Sequence, residues 1–327
     1  MSNPAYYSAE DVRSLLDYPG CIQSMRNAMA ALSRDQREQP LRGITPVRDG
    51  KLFAIMPGMC TGQPGFGAKV ISVFRDPAQQ GRSAHKGIVV LFEEEAGAVV
   101  CIADAHEVTK IRTACASAVA TDALARKDAT TLGVLGCGTQ AEAHIRAIPL
   151  VRNIQRILVW GRNPSIAAAF AERMGEETGK ELVAVGDAKT LAAESEIICT
   201  VTAAPEPVLF EEWVRAGTHI NAVGSSHAGP VEIDPELVAA SAYFVEYRPS
   251  AWAAAAELLR ARELGLIGDD HIRAEIGEVL NGDAEGRLDS TQRTIYKSLG
   301  HIVQDLEAAR YIHQQAHASV RNRPVLR

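Results

Sequence analysis

The 327-residue chain is expected to be an α/β protein, a doubly wound parallel sheet inserted into a discontinuous α+β domain. Three observations point there. From residue 131 onward, short apolar runs alternate with Ala- and Glu-rich helical stretches, the pattern of a parallel sheet covered on both faces. Before about residue 120 the apolar runs follow one another across turns, with no helix between them. Close to the C-terminus lies a long helical pattern, expected to pack back toward the first domain.

In order, SAEDVRSLLDYPGCIQSMRNAMAAL (8–32) is helix-like and opens on the form of a capping box. Ser8 is the cap and Asp11 stands in place of the usual Glu or Gln. KLFAIM, GAKVISVF, GIVVLF and AVVCIADA are strand candidates with turns at GQPGFG and EEAG, which predicts a mostly antiparallel or mixed sheet. TACASAVATDALARK (113–127) is helical and carries the chain into the alternating region. There TLGVLG, RILVW, LVAVG, EIICTVT, HINAVG and YFVEY read as strands. TQAEAHIRAIPLV, SIAAAFAERMGEE and DAKTLAAES read as the helices between them. STQRTIYKSLGHIVQDLEAARYIHQQA reads as one amphipathic helix interrupted only by Gly300. The expected domains are 1–121 with 303–327, and 122–302.

Apolar residues make up 46% and charged residues 23%, the balance of an ordinary globular protein. A net charge of −6 argues against a nucleic-acid partner; the basic tail RNRPVLR reads as a solvated end. Cys21, Cys60, Cys101, Cys115, Cys137 and Cys199 form no CxxC pair, so reduced thiols are expected and no metal site. The N-terminus lacks the pattern of a signal peptide. No apolar run approaches the ~20 residues that cross a bilayer. A cytoplasmic protein without membrane partners is expected.

GCGTQA (136–141) fits G-x-G-x-x-A between a strand and a helix. Gly136 and Gly138 permit a tight turn and close backbone approach, and a helix N-terminus offers N–H groups to a pyrophosphate. This is the fingerprint of a Rossmann-type dinucleotide fold. An NAD-binding chain usually places Asp or Glu about 20 residues on, against the ribose 2′-hydroxyl. Here the second strand ends RILVWGRNP, placing Gly161, Arg162 and Asn163 there. No carboxylate repels a 2′-phosphate, and Arg162 can pair with one. NADPH is therefore expected over NADH. In the first domain Arg42, Lys69 and Arg112 are cations beside glycines or apolar strand residues, and His85 stands before a strand. A cation facing an apolar layer needs a partner, which can be a ligand carboxylate. Taken singly, each also has an ordinary structural explanation.

QPLR…PV, AIMPG, GAKV, HKGIVVLF, KIRTACASAVAT, GVLGCGTQAEAH, HINAVGSS and YKSLG, in this order and spacing, resemble the ornithine cyclodeaminase/mu-crystallin family from about residue 10 to 316. The resemblance implies a homodimer whose first domain, completed by the C-terminal helix, binds substrate and forms the dimer interface. It implies that the central domain binds a nicotinamide cofactor. Arg42, Lys69 and Arg112 match the family's substrate-carboxylate group, with Lys69 also a proton donor and Arg112 also near the cofactor. His85, Thr139, Gln140, Thr202 with Ala203, and the Val223–Gly224–Ser225–Ser226 loop match cofactor contacts. Ser298 and Leu299 match a segment that closes over the nicotinamide. Gly161-Arg162-Asn163 is similar to the NADPH-binding members. Met56, Ile71 and the Gly58–Gly67 loop are expected to shape the substrate pocket.

One departure bears on the reaction. Cyclising members carry VG-x-D, whereas this chain reads AVGSSHAGPVEID, with Ser226 at that position and Pro230 in place of a Lys. A serine hydroxyl cannot perform carboxylate acid–base work, worth ~10²–10⁴-fold. Mu-crystallin-type ketimine reductases carry Ser there, and a residue in that role would touch the nicotinamide or the substrate nitrogen. Alternatively, Ser225-Ser226 only cap the following helix. The expected activity is NADPH-dependent reduction of a ketimine carboxylate to an L-amino or imino acid. Substrates would be Δ1-pyrroline-2-carboxylate, Δ1-piperideine-2-carboxylate or a related imine of a 2-oxo acid. The alternatives are a cyclodeaminase in which His227 or Glu232 replaces the missing Asp, an alanine-dehydrogenase-like enzyme, and a non-catalytic NADPH-dependent binder of small molecules.

Overall fold

The structure, a computed structural model, describes residues 4–48, 51–74 and 85–321; the basic tail beyond Arg321 lies outside it. The chain forms two compact units, Met1–Arg112 with His301–Arg327, and Thr113–Gly300. The boundaries read from the sequence lay at 121/122 and 302/303. The first unit begins with β1 (Ala5–Tyr7), α1 (Ala9–Leu15) and α2 (Tyr18–Leu32). It continues with β2 (Gly43–Arg48), β3 (Lys51–Met59), β4 (Phe66–Phe74), β5 (His85–Phe92) and β6 (Val99–Asp104). The helix α3 (Ala105–Leu124) starts in this unit and ends in the second.

The second unit contains β7 (Thr131–Leu135), α4 (Thr139–Ala147), β8 (Arg156–Trp160), α5 (Pro164–Thr178), β9 (Glu181–Ala184), α6 (Ala188–Glu194) and β10 (Ile197–Thr200). After β11 (His219–Ala222) come α7 (Pro235–Ala239), β12 (Ala242–Val245), α8 (Arg248–Ala254) and α9 (Ala256–Glu263). It ends with β13 (Ile272–Glu275), α10 (Ile276–Asn281) and β14 (Thr294–Lys297), and α11 (Ile302–Arg321) returns to the first unit.

Among the described residues the first unit has a six-stranded sheet, ordered β1-β6-β5-β4-β3-β2 and antiparallel except for β1 beside β6. Alternation along the strands sends Ala54, Met56, Lys69, Val89, Leu91 and Ala103 to one buried face. α11 packs on that face and on α2. It comes close because β4 offers a glycine: a Cβ on Gly67 would lie 2.7 Å from Leu306 and 2.1 Å from the Val90 carbonyl. The opposite face leaves Phe53, Ile55, Phe66, Phe74 and Ile88 exposed. In register, Ile55 opposes Val70 and Val70 opposes Ile88, so these form one apolar row across three strands, and Ser72 and Lys86 share the face beside Phe53.

The capping box forms: the Ser8 hydroxyl accepts from the Asp11 N–H, and Asp11 accepts from the Ser8 N–H at 2.9 Å. The helix read over 8–32 is nevertheless two helices. Asp17 caps a new start by accepting from the Gly20 N–H at 2.8 Å, and Pro19 lies in that first turn, where its missing N–H costs nothing. β1 and β2 carry no reading in the sequence. Gly58 and Gly67 lie inside β3 and β4, so the connection between them is shorter than the expected loop.

In the second unit eight strands are all parallel, in the order β13-β12-β14-β11-β10-β7-β8-β9. The single helix expected over 290–316 is corrected here. Thr294–Lys297 is β14, inserted between β11 and β12 in the sheet interior. Its β-branched and aromatic residues suit a strand buried on both faces, and Ile295 and Tyr296 are fully buried. Gly300, at φ 79°, then turns the chain before α11. Among the described residues no helix is long and apolar enough to cross a membrane.

Candidate active site

The strand order reverses between β7 and β10, the switch point where open α/β sheets bind ligands beyond their carboxyl ends. The GCG turn lies there. Gly136 has φ 127°, and a Cβ on it would meet the Val201 carbonyl at 2.8 Å, so only glycine fits both conformation and space. Gly138 is the N-cap of α4 and supplies no side-chain cap, which leaves Thr139 and Gln140 in an N-terminal turn open to an anion. His144 fixes this helix on α3, with Nδ1 2.7 Å from the Gln140 carbonyl and Nε2 2.9 Å from the Ser117 hydroxyl. Burial holds its pKa down at about 4, so it is neutral near pH 7.

Gly161 follows β8, and a Cβ there would lie 2.7 Å from Cys137 Sγ in the GCG turn. Burial raises the Cys137 thiol to about 11, which makes it an uncharged packing group. Arg162 is exposed and has no ion-pair partner among the described residues. Asn163 caps α5, its side-chain oxygen accepting from the N–H groups of Ser165 and Ile166 at 3.0 and 3.2 Å.

Three buried glutamates hold the remaining loops. Glu232 accepts from the Thr202 N–H at 2.6 Å, the Gly224 N–H at 2.6 Å and the hydroxyls of Thr200 and Thr202 at 2.9 and 2.7 Å. It ties the chain after β10, which carries Ala203, to the turn after β11. Glu246 accepts from the N–H groups of Leu299 and Gly300 at 2.9 and 2.8 Å, and from the Tyr296 and Ser298 hydroxyls. Glu257 accepts from the Ser225 and Tyr243 hydroxyls and pairs with the fully buried Lys297 at 2.7 Å. Lys297 Nζ also donates to the Ser225 carbonyl and hydroxyl at 2.5 and 2.7 Å. The segments containing Thr202, Val223–Ser226 and Ser298–Leu299 are therefore set by side chains behind them.

Glu232 also braces these turns through both its oxygens, and burial raises its pKa. One expectation changes. Ser225 and Ser226 do not cap the next helix, since Asp234 caps α7 by accepting from the Leu237 N–H. Ser226 and His227 are half-buried in the same loop.

In the first unit Lys69 sits on the inner face of β4, opposite Met56 and Val89. Its Nζ lies 3.0 and 2.9 Å from the two oxygens of Asp305 on α11, and donates to the Thr109 hydroxyl at 3.3 Å. Arg112 Nε donates to Asp305 at 2.9 Å and its Nη1 to Gln304 at 2.7 Å. Burial lowers the pKa of Lys69 to about 8; the Asp305 charge opposes the fall, and those of Arg112 and Arg42 add to it. Burial alone would raise Asp305, but the Arg112 and Lys69 charges outweigh it and hold the carboxyl below its usual range. His301, buried nearby, is pushed down to about 4 by burial first, with the positive charges of Arg112 and Arg42 adding to the shift. The Asp305 carboxylate thus faces the two buried cations Lys69 and Arg112, and Arg42 acts on Lys69 through its charge. Ile71 lies on the same strand. The side chain of His85, at the start of β5, lies outside the described residues.

The sequence reading missed Asp305, Gln304, His301, Glu246, Glu257 and Lys297. Asp305 did leave a signal, because Ile302, Asp305, Ala309 and Ile312 follow the spacing of a helix's buried stripe. An acid at such a position must find a cation.

The fold is that of the Rossmann-type α/β nucleotide-binding proteins. The family model of the ornithine cyclodeaminase/mu-crystallin family matches residues 3–320, and the chain belongs to that family. It is 33% identical over 311 residues to a Δ1-pyrroline-2-carboxylate reductase of Bacillus cereus, covering 94% of this chain and 95% of that one. The structure resembles that of Thermococcus litoralis Δ1-pyrroline-2-carboxylate reductase in complex with NADH and L-proline. The TM-score is 0.92 at 30% identity, over 97% of this chain and 98% of the other. An archaeal alanine dehydrogenase dimer with bound NAD matches with a TM-score of 0.90 at 26% identity, over 97% of each chain.

Glu246→Ala leaves the Leu299 and Gly300 N–H groups without their acceptor and should lower stability by roughly 2–4 kcal/mol. Glu246→Gln keeps an amide oxygen for them and should lose clearly less. Urea midpoints compare the variants, and equal losses would show that these hydrogen bonds do not hold the loop.

Proposed function

We propose that this chain is a cytoplasmic, NADPH-dependent reductase of ketimine carboxylates such as Δ1-pyrroline-2-carboxylate and Δ1-piperideine-2-carboxylate. The observation that carries the reading is the buried pair of cations Lys69 and Arg112 sharing the Asp305 carboxylate, with the half-buried Arg42 acting on Lys69 through its charge. Such a group attracts a small carboxylate, and the Arg forks fix its orientation. The likeness to reductases of this class supports the choice of substrate.

A dinucleotide fits the second unit: the glycine turn at 136–138, the α4 N-terminus without a side-chain cap, and the braced loops form a cradle at the switch point. When bound, the nicotinamide supplies a hydride to the imine carbon. Thr139 and Gln140 would meet the pyrophosphate, and Arg162, beside Gly161 and Asn163, would pair with the 2′-phosphate. Thr202, Val223–Ser226, Ser298 and Leu299 would line the nicotinamide end. Arg42 and Arg112 hold the substrate carboxylate, and Lys69 gives the proton that the imine nitrogen gains. Ser226 contributes a hydrogen bond without acid–base work, and Met56 bounds the pocket beside Lys69. The likeness to an alanine dehydrogenase supports a second reading, reductive amination of a 2-oxo acid with free ammonia.

The exposed apolar face with Phe53, Ile55, Phe66, Phe74 and Ile88 is the kind of surface that soluble chains cover. A second copy of this chain is its occupant in our reading, in line with the dimer of the similar alanine dehydrogenase. Sedimentation should give a dimer for the wild type and a monomer for Ile88→Asp; a wild-type monomer at micromolar concentration removes this proposal.

NADPH oxidation should be seen with one of the cyclic ketimine carboxylates and not with ornithine; oxidation only with pyruvate and ammonia would favour the second reading. Arg112→Ala should lower kcat/KM by about 10-fold or more, the scale of a charged hydrogen bond. A change below twofold would remove Arg112 from the site. Arg162→Ala should weaken NADPH binding about tenfold and leave NADH binding unchanged; an unaltered NADPH affinity sinks the 2′-phosphate assignment.

A further inference from the structure

Resting on the reductase reading, we propose that the proton donor is the Lys69–Asp305 pair, with Asp305 the positioning residue that keeps Lys69 charged and aimed. Lys69 projects from the middle of β4 and is almost wholly buried, and Asp305 has no exposed surface. The groups facing Lys69 come from several elements. Asp305 and the neutral His301 belong to the C-terminal segment, Thr109 and Arg112 to α3, and Arg42 to the segment before β2. Asp305 supplies the negative charge that faces the ammonium; Arg112 and Arg42 repel it, and burial disfavours it. Without Asp305 the charge that favours the ammonium is lost, and Lys69 would hold its proton less at pH 7.

With Asp305 in place Lys69 titrates at about 8. It is then about nine-tenths charged at pH 7 yet a far stronger acid than an exposed lysine, which is the condition for a general acid. Asp305 cannot itself be the acid, because Arg112 and Lys69 hold it ionised. As hydride adds to the imine carbon, the π pair of C=N moves to nitrogen. That nitrogen takes a proton from Lys69 Nζ; the Nζ–H bond breaks and an N–H bond forms. The neutral amine left on Lys69 keeps Asp305 and Thr109 as neighbours and regains a proton from water. Arg112, bonded through Nε to the same carboxylate oxygen, keeps Asp305 from turning away during the exchange.

The test combines Lys69 ionisation, followed by NMR of [13Cε]-lysine protein and assigned with Lys69→Arg, with the pH dependence of kcat. A general acid must be protonated, so activity falls as pH rises through the Lys69 value. In wild type both curves should break near pH 8. In Asp305→Asn both should move to lower pH by about one unit or more, whereas Asp305→Glu should stay close to wild type. A purely structural ion pair would lower the urea midpoint of Asp305→Asn and leave both breaks in place, which overturns the proposal. Should Asp305→Asn fail to fold, the wild-type titration alone decides: a Lys69 midpoint at the ordinary 10.5 overturns it. If wild type reduces no ketimine while Lys69 still shifts in Asp305→Asn, the reductase reading falls. Asp305 then remains as the residue that sets the charge of Lys69.

Discussion

A charge taken out of water has to be paired, and this requirement organises both units of the fold. In the first unit Lys69 and Arg112 meet Asp305, which lies more than 190 residues further along the chain. In the second, Lys297 meets Glu257, and that pair holds Ser225. Glu232 and Glu246 are satisfied by backbone N–H groups of the loops they hold. Breaking a buried pair by removing one partner costs about 3–5 kcal/mol, far more than losing a surface contact. The parts of the chain that carry the candidate site are thus bound to the interior by its least dispensable interactions.

The parallel sheet explains where these interactions gather. Eight parallel strands end at one edge, and each delivers the loop that follows it to that edge. The first βα turn is closed by glycines, so its N–H groups remain for a ligand. The later loops, after β10, β11 and β14, are tied down by carboxylates placed behind them. One edge therefore combines open donors near the start of α4 with rigid walls further along. Preorganisation of that kind spares a ligand the entropy of ordering the loops.

The sequence made local features legible and long-range ones much less so. RILVW is β8 residue for residue, and the GCG turn lies between β7 and α4 as read. Ser8 and Asp11 form the capping box because its geometry is fixed within four residues. Arg42, Lys69 and Arg112 were named from their neighbours, and the structure sets them in one electrostatic neighbourhood. Asp305 shows in the sequence only as an acid on the buried stripe of an amphipathic helix, with nothing to name its cation, and Glu246 and Glu257 stand in ordinary-looking segments, because pairing across the chain does not reveal its partner. The misreading of 290–316 has a similar cause. RTIYKSLG can be drawn on a helical wheel, but the space between β11 and β12 makes its first half a strand. Tertiary context overrode a weak local preference there.

α11 completes a sheet whose strands lie at the other end of the chain, and this affects how the protein can be made. During synthesis the first six strands emerge early, and the whole of Thr113–Gly300 follows before Ile302 appears. At ordinary translation rates of ~5–20 residues per second, that interval lasts roughly 10–40 s. Throughout it the face bearing Met56, Val89 and Leu91 lacks its helix, and Lys69 lacks its counter-charge. The first part of the chain to leave the ribosome is therefore the last to be finished, and in that interval it presents bare apolar strands that chaperones bind.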